Sequence, residues 1–262
     1  MSTAAITVLV LIFAILASSL WVSLSLFSVT IAALSIFRSL PVDKILAQSI
    51  WNTVTSSELL SLPLFILMAE ILFRTRLSDK LLKGLTPWAV LLPGRLAHIN
   101  VLSCTLFATV SGSSAATTAT VGRITMSELL TRGYDRSLIT GSLAGAGTLG
   151  LLIPPSIVMI IYAMLAEVSL LRLFLAGIVP GVLMAGGFMA FIAARCLINP
   201  TLMPDERLDY AWPERFLALG HLLPIAALMF GVIGSMYGGI ASPTEAAAIG
   251  VFGALLLSFK SG

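Results

Sequence analysis

The sequence predicts an all-α polytopic membrane protein, and the evidence is its composition together with its long apolar segments. Of 262 residues, 58% are hydrophobic and only 10% are charged, and the mean hydropathy is +1.05. Soluble domains carry about 25% charged residues. The 15 basic and 12 acidic side chains therefore cannot cover a soluble globule. Soluble enzymes, disordered chains and nucleic-acid-binding proteins are excluded as first interpretations, and the pI of 9.1 indicates basic loops on one membrane face.

The first 95 residues are predicted to form scaffold helices. Residues 4–37 are too long for one crossing of about 20 residues, so two short helices broken near the serines at 18–28 are expected. Residues 41–57 are amphipathic, and they either lie along the membrane interface or pass between helices. A span follows over 58–73, and the charged connector after it is predicted to contain a surface helix.

Residues 97–126 are predicted to form a re-entrant helical hairpin. Two apolar arms, 97–110 and 115–126, flank a tip with the sequence Ser111-Gly112-Ser113-Ser114. As helices these arms are about 18 to 21 Å long, whereas the hydrocarbon core of a bilayer is about 30 Å thick. Neither arm crosses alone, and a polar tip is tolerated at that depth only where protein or water surrounds it.

A broken transmembrane helix is predicted over residues 138–166. Its first part is rich in glycine and runs into Pro154-Pro155-Ser156. Two adjacent prolines remove two backbone donors and disfavour helix in the residue before each. Further transmembrane helices are expected over 171–197, over 216–237, and from a capping box at Ser242-Pro243-Thr244-Glu245 to residue 259.

The basic residues favour a hairpin that enters from the cytoplasm. If residues 97–126 turn back, all but three of the 15 Lys and Arg residues fall on one side of the membrane, the three being Arg38, Lys44 and Arg172. If the same segment crosses instead, the 15 residues divide almost equally. Cytoplasmic loops carry an excess of basic residues, so the hairpin is preferred and the N-terminus is expected outside.

The tip and the proline break are the places where a binding site is expected. Carbonyl and hydroxyl oxygens freed from a helix suit a cation such as Na⁺, and free amides at a half-helix N-terminus attract a carboxylate. Gly and Ser also serve simple close packing between helices, but two such interruptions together favour a site. The two cysteines and two histidines have no metal-ligand spacing, so no cofactor is expected beyond a coupling ion.

An enzyme is the interpretation given least weight. An intramembrane serine hydrolase would use Ser113 or Ser114 as the nucleophile and His98 or His221 as the base. No Gly-x-Ser-x-Gly elbow surrounds either serine. His98 is also expected near the membrane surface, far from a deep tip.

Several motifs, in order along the chain, resemble the large membrane (M) subunit of tripartite ATP-independent periplasmic (TRAP) transporters. They are SLPLFILMAE at 61–70, LAHINV at 96–101, VSGSSAATTATVGRI at 110–124, RGYDR at 132–136, GTLGLLIPPS at 147–156, LFLAGIVPG at 173–181 and GIASPTEAAA at 239–248. The resemblance covers nearly the whole chain.

The resemblance implies a Na⁺-coupled symporter that imports a small organic acid, such as a C4-dicarboxylate or a sugar acid, across the bacterial inner membrane. It implies two partners, a periplasmic substrate-binding protein and a small four-helix membrane (Q) subunit. It also implies two inverted repeats that move as an elevator, each with a re-entrant hairpin and a broken helix. This chain then holds the first repeat, with scaffold and arm at 1–95, transport core at 96–166 and further transmembrane helices at 167–262.

Carried onto this chain, the family's sites fall into two groups. The cation site would use backbone carbonyls of Ser111 at the tip and of Gly150, Ile153 and Pro155 at the break. The candidates on the substrate side are Ser113, Ser114 and Ser156.

The chain departs from the family in length. No second Ser-Gly-Ser tip and no second Pro-Pro break follow residue 156. We therefore expect the first repeat and the next helix only, from a truncated or split gene or an incomplete sequence, and a lone half is not expected to transport. The alternatives left open are a non-transporting assembly fragment, an ion-coupled carboxylate carrier that needs no binding protein, and H⁺ in place of Na⁺.

Overall fold

The computed structural model describes residues 3–18, 20–37, 41–75, 77–204 and 209–261. Within these ranges the chain is helical and contains no β-strand. The α-helices are α1 (Thr3–Ala17), α2 (Val22–Phe37), α3 (Val42–Val54), α4 (Ser57–Phe73), α5 (Leu77–Ala89), α6 (His98–Ser111), α7 (Ser114–Thr131), α8 (Arg136–Gly147), α9 (Ile157–Leu165), α10 (Leu170–Ile198), α11 (Trp212–Leu219), α12 (Leu223–Tyr237) and α13 (Pro243–Ser261). Short 3-10 turns precede α6 and follow α8 and α10.

The chain divides into two compact units, residues 1–56 and residues 57–262. In the first unit α1 packs against α2, and α3 contacts α2. The prediction of two short helices in place of one long span is confirmed, since α1 ends at Ala17 and α2 begins at Val22. The functional division of the chain near residues 96 and 167 stays a prediction.

Helix α6 lies at the centre of the second unit. Ten of its 14 residues are buried, and it contacts α4, α5, α7, α8 and α10. Buried small and polar residues such as Ser103 and Ala108 let these neighbours approach closely. The hairpin arm is therefore the element around which the other helices are arranged.

Glycines bring α13 close to α4 and α12. A Cβ on Gly250 would lie 2.6 Å from Sδ of Met68, and one on Gly253 would lie 2.5 Å from Cδ1 of Leu228. Without side chains, the two glycines leave room for these larger residues of the facing helices. Such small-residue contacts are typical of helix packing in membranes.

The predicted capping box and one predicted ion pair are confirmed. Ser242 N donates to Oε2 of Glu245 over 2.7 Å, and Glu245 N donates back to Oγ of Ser242 over 3.4 Å. The i,i+4 spacing of Glu70 and Arg74 near the end of a span predicts an interfacial ion pair, and Arg74 Nε lies 2.7 Å from Oε1 of Glu70.

The span predicted over 216–237 is interrupted in the structure. It forms two helices, α11 and α12, bent by 47° at the residues between them. Pro224 lies in the first turn of α12 and has no backbone donor, so the turn formed by residues 220–222 is not continued as helix.

By length and apolar composition, one described helix, α10, suffices to cross a bilayer, and treating two bent helix pairs as single spans raises that number to three. Helix α10 has 29 residues. Its large apolar side chains face outward, with Val179 65%, Val182 63% and Leu183 70% exposed. Such a surface is suited to lipid rather than water.

The two ends of the α6–α7 hairpin lie side by side. Leu96 N, just before α6, donates to the hydroxyl of Tyr134, just after α7, over 3.0 Å. Asp135 N donates to the carbonyl of Leu202 over 3.0 Å, which brings the segment after α10 to the same end. Burial raises the pKa of the Tyr134 phenol, so this link stays protonated at neutral pH.

Three of the segments that the charge count assigns to one side of the membrane therefore lie close together: those around residues 95, 134 and 203. Arg95 donates from Nη1 to the carbonyl of Pro204 over 2.7 Å, next to the loop that contains Tyr134. Arg38, Arg76 and Arg207, which also enter that count, lie outside the described residues.

Candidate functional site

The hairpin tip is a two-residue break between α6 and α7. Helix α6 ends at Ser111, Gly112 adopts a left-handed conformation with φ +56°, and Ser113 is extended. The Oγ of Ser113 accepts from Ala116 N over 3.4 Å and caps α7. This is the position predicted for the tip.

The second arm is longer than predicted. It passes residue 126 and continues to Thr131, because the next residue unsuited to helix is Gly133, with φ +85°. Glu128 and Arg132 form an i,i+4 ion pair of 2.7 Å at its end. The connection between α7 and α8 is therefore short and consists of residues 132–135.

The break after α8 also lies where the sequence predicts it. A 3-10 turn over Thr148–Leu151 ends the helix, and the Pro154–Pro155 peptide bond is cis. The hydroxyl of Ser156 donates to the carbonyl of Leu151 over 3.0 Å, and α9 then begins at Ile157.

The tip and the break contact each other through the backbone. Ile157 N donates to the carbonyl of Gly112 over 3.3 Å. A Cβ on Gly112 would lie 2.9 Å from the carbonyl oxygen of Pro155, and one on Gly150 would lie 3.0 Å from Ser114 N. The site residues predicted from two separate segments are therefore brought together, and the absence of side chains on two glycines permits it.

Four backbone carbonyls of the tip and the break accept no hydrogen bond from any described residue. In the described part of the chain, no backbone or side-chain donor reaches the carbonyls of Ser111, Gly150, Ile153 or Pro155. All four residues are buried. Unpaired buried carbonyls are costly, and a hard cation is one chemical group that would satisfy them.

No cluster of the usual metal-ligating side chains accompanies the carbonyls in the described residues. Across the described ranges, His, Cys, Asp and Glu residues nowhere form a group of three that could hold a metal ion. A cation bound at the junction would therefore be held by neutral oxygens, as is typical of monovalent ions in interrupted membrane helices.

The three serines assigned to the substrate side occupy different environments. Ser113 and Ser114 are half-buried at the N-terminus of α7, where the first backbone amides point away from the helix. Ser156 is 0% exposed, and its hydroxyl is occupied by Leu151. In this conformation Ser156 holds the break together.

Two threonines at the junction were not singled out from the sequence. The hydroxyls of Ser111 and Thr117 are 2.5 Å apart, and Thr117 is 0% exposed. Thr118 packs so closely on Gly147 that a Cβ there would collide with its hydroxyl. In the sequence, Thr117 is marked only by its position four residues after the N-cap Ser113. The alanines and threonines around it are so similar that this position does not stand out.

Asn100 was missed as well. It is 0% exposed, and its Nδ2 donates to the carbonyl of Ile139 over 3.1 Å and to Oγ of Ser142 over 2.9 Å. A single amide in an apolar arm is the signal that would have indicated it, since buried amides need partners on neighbouring helices.

His98 is buried in protein, with only 1% of its surface exposed. Its Nε2 lies 2.6 Å from the carbonyl oxygen of Pro93. That contact holds the ring at the base of the hairpin, at the opposite end of α6 from the tip.

A sequence profile described as "Tripartite ATP-independent periplasmic transporter, DctM component" matches residues 8–260. The chain belongs to this family. TRAP permeases are membrane transporters and not enzymes, so the hydrolase interpretation is set aside.

Three curated large permease proteins of TRAP transporters are similar to this chain. The C4-dicarboxylate protein of Vibrio cholerae is 35% identical over 78% of this chain and 44% of its own length. The C4-dicarboxylate protein of Pseudomonas aeruginosa is 38% identical over 78% of this chain and 47% of its own length. The ectoine protein TeaC of Halomonas elongata is 36% identical over 82% of this chain and 49% of its own length. The chain thus spans about half the length of the curated relatives it matches.

Proposed function

We propose that this chain forms the first half of a Na⁺-coupled TRAP permease that imports a small organic acid. The observation that supports this most directly is that four buried residues of the tip and the break have carbonyls that no donor reaches in the described part of the chain. Carbonyl oxygens replace the hydration shell of an alkali cation at modest cost. Ser111, Gly150, Ile153 and Pro155 would hold Na⁺ through these oxygens.

The substrate side would lie at the N-terminus of α7. Ser113 and Ser114 present hydroxyls and the first amides of this helix, a set suited to an anionic acid group. A cation on the adjacent carbonyls would raise the local affinity for that anion. For a substrate to reach the hydroxyl of Ser156, the hydrogen bond from that hydroxyl to the carbonyl of Leu151 would have to break.

Relatives named for C4-dicarboxylate, ectoine and isethionate narrow the substrate class. These compounds are small and each carries an acid group. We infer a substrate of this class, with a carboxylate as its most frequent anionic group.

The arrangement in the membrane follows from the hairpin. Since its two ends are held together by Leu96 and Tyr134, both ends would lie on one side, and the charge count makes that side cytoplasmic. We infer a re-entrant hairpin in the inner membrane, moving as an elevator within a complete permease. A periplasmic binding protein would deliver the substrate, and a small membrane subunit would complete the complex.

Sodium binding by the purified chain tests the proposal. Cys104 and Cys196 are both 0% exposed, so the rate at which a thiol-reactive dye labels them on heating reports unfolding. A ligand at ten times its Kd stabilises the folded state by about 1.4 kcal/mol. We expect NaCl to raise the unfolding midpoint above that in KCl at equal ionic strength.

A matched pair of glycine variants locates the effect. Gly150→Ala pushes a methyl group against the backbone of Ser113 and Ser114 and should abolish the Na⁺-dependent shift. Gly141→Ala, with nothing within 4 Å of its Cβ, should retain it. Equal midpoints in NaCl and KCl for the unmodified chain would refute the cation site. In a permease completed by the second half, substrate uptake that persists without Na⁺ would refute coupling.

A further inference from the structure

A groove of about 680 Å³ runs between α8 and α10, away from the tip and the break. Its α8 wall includes Ser137, Gly141 and Gly145, and its α10 wall includes Gly187, Phe191 and Arg195. Cβ atoms on Gly141 or Gly187 would meet nothing within 4 Å. The groove is therefore an open apolar channel with an arginine at one end.

The length of the groove matches one leaflet of a bilayer. At 1.5 Å per residue, Ser137 to Gly145 spans about 12 Å and Met184 to Arg195 about 16 Å. Half of a hydrocarbon core of about 30 Å is about 15 Å. A single acyl chain from one leaflet would lie along the groove over its full depth.

On the proposed topology, the charged end of the groove lies at the level of the cytoplasmic lipid headgroups. Arg195 lies in the last turn of α10, and Ser137 lies in the first turn of α8. In the described part of the chain no carboxylate pairs with Arg195. A guanidinium that pairs with no described carboxylate, at the end of an apolar channel, complements a phosphate.

We propose that this groove binds an anionic phospholipid of the cytoplasmic leaflet, with its acyl chain along α8 and α10 and its phosphate at Arg195. An apolar transmembrane helix is a less complete match, because it has no anionic group to complement the guanidinium of Arg195 at the end of the groove.

Native mass spectrometry of the purified chain with added phosphatidylglycerol tests the proposal. We expect one phosphatidylglycerol to bind about tenfold more tightly to the unmodified chain than to Arg195→Gln or Gly187→Leu, a difference equivalent to about 1.4 kcal/mol. Gly186→Leu is the matched control: it lies next to Gly187, has open space around it, and does not line the groove. It should bind like the unmodified chain, as should Arg172→Gln at the other end of α10.

Dye labelling of buried Cys104 verifies that each variant is folded before binding is compared. Equal phosphatidylglycerol affinity in the unmodified chain, Arg195→Gln and Gly187→Leu would overturn the proposal. Equal affinity for zwitterionic phosphatidylcholine would overturn the role of the anionic headgroup. A photocrosslinker at Phe191 that couples to a protein in membranes, and not to lipid, would show that a helix occupies the groove instead.

Discussion

Replacing Gly112 with alanine tests the contact on which the candidate site depends. Gly112 has φ +56° and accepts the hydrogen bond from Ile157 N. Its added Cβ would lie 2.9 Å from both Ile157 N and the carbonyl oxygen of Pro155. These neighbours are backbone atoms, so neither can move aside by a rotamer change.

The expected cost combines two contributions. A non-glycine residue in the left-handed region costs about 1 to 2 kcal/mol. If the added methyl group separates the tip from the break, the hydrogen bond from Ile157 N to the carbonyl of Gly112 is lost as well. A buried polar group left unpaired in this way costs about 1 to 3 kcal/mol of stability. Gly112→Ala should therefore destabilise the chain by about 2 to 5 kcal/mol.

Gly133→Ala provides the matched control. Gly133 has φ +85°, but its Cβ would meet nothing within 4 Å. It should lose only the conformational contribution of about 1 to 2 kcal/mol. Thermal unfolding of both variants, followed by dye labelling of Cys104 and Cys196, measures the difference. If the two alanine variants lose the same stability, the tip does not press on the break, and the geometry argued for the site is wrong.

Three further changes have expected outcomes. Thr117→Val removes the partner of the Ser111 hydroxyl and should weaken Na⁺-dependent stabilisation several-fold while the chain stays folded, as measured by titrating NaCl against unfolding midpoint. Asn100→Leu removes the amide hydrogen bonds to the carbonyl of Ile139 and to Oγ of Ser142 and should lower stability by about 1 to 3 kcal/mol, as measured by the same labelling assay. Ser242→Ala removes the cap of α13 and should cost about 1 kcal/mol, without changing the Na⁺-dependent shift in midpoint.

The places where helices stop were predictable because their signals are local. Gly112 between serines, Pro154 beside Pro155, and Ser242 before a proline each specify a backbone geometry within three or four residues. The structure places the tip, the break and the cap at these positions. Charge also predicted that the hairpin turns back, and the Leu96–Tyr134 hydrogen bond joins its two ends.

Contacts between distant segments were not predictable in the same way. Nothing near Gly112 in the sequence indicates that its carbonyl accepts from Ile157, since that pairing depends on how α6 packs among five helices. The bend between α11 and α12 was missed because residues 216–237 are apolar on both sides of it, and hydropathy alone does not register a change of direction.

A site built from backbone oxygens also changes which substitutions should matter. The side chain of Ile153 contributes no ligand, so Ile153→Val leaves its carbonyl in place and alters only the packing on Gly181, where a Cβ would lie 2.8 Å from Cγ1 of Ile153. That loss of one methylene costs about 1 kcal/mol, and the NaCl-dependent shift in midpoint should survive it. Gly150→Ala removes no oxygen either, yet it should abolish the shift because it displaces the backbone. If instead Ile153→Val eliminated the Na⁺ response and Gly150→Ala kept it, the ligands would not be the carbonyls at this junction.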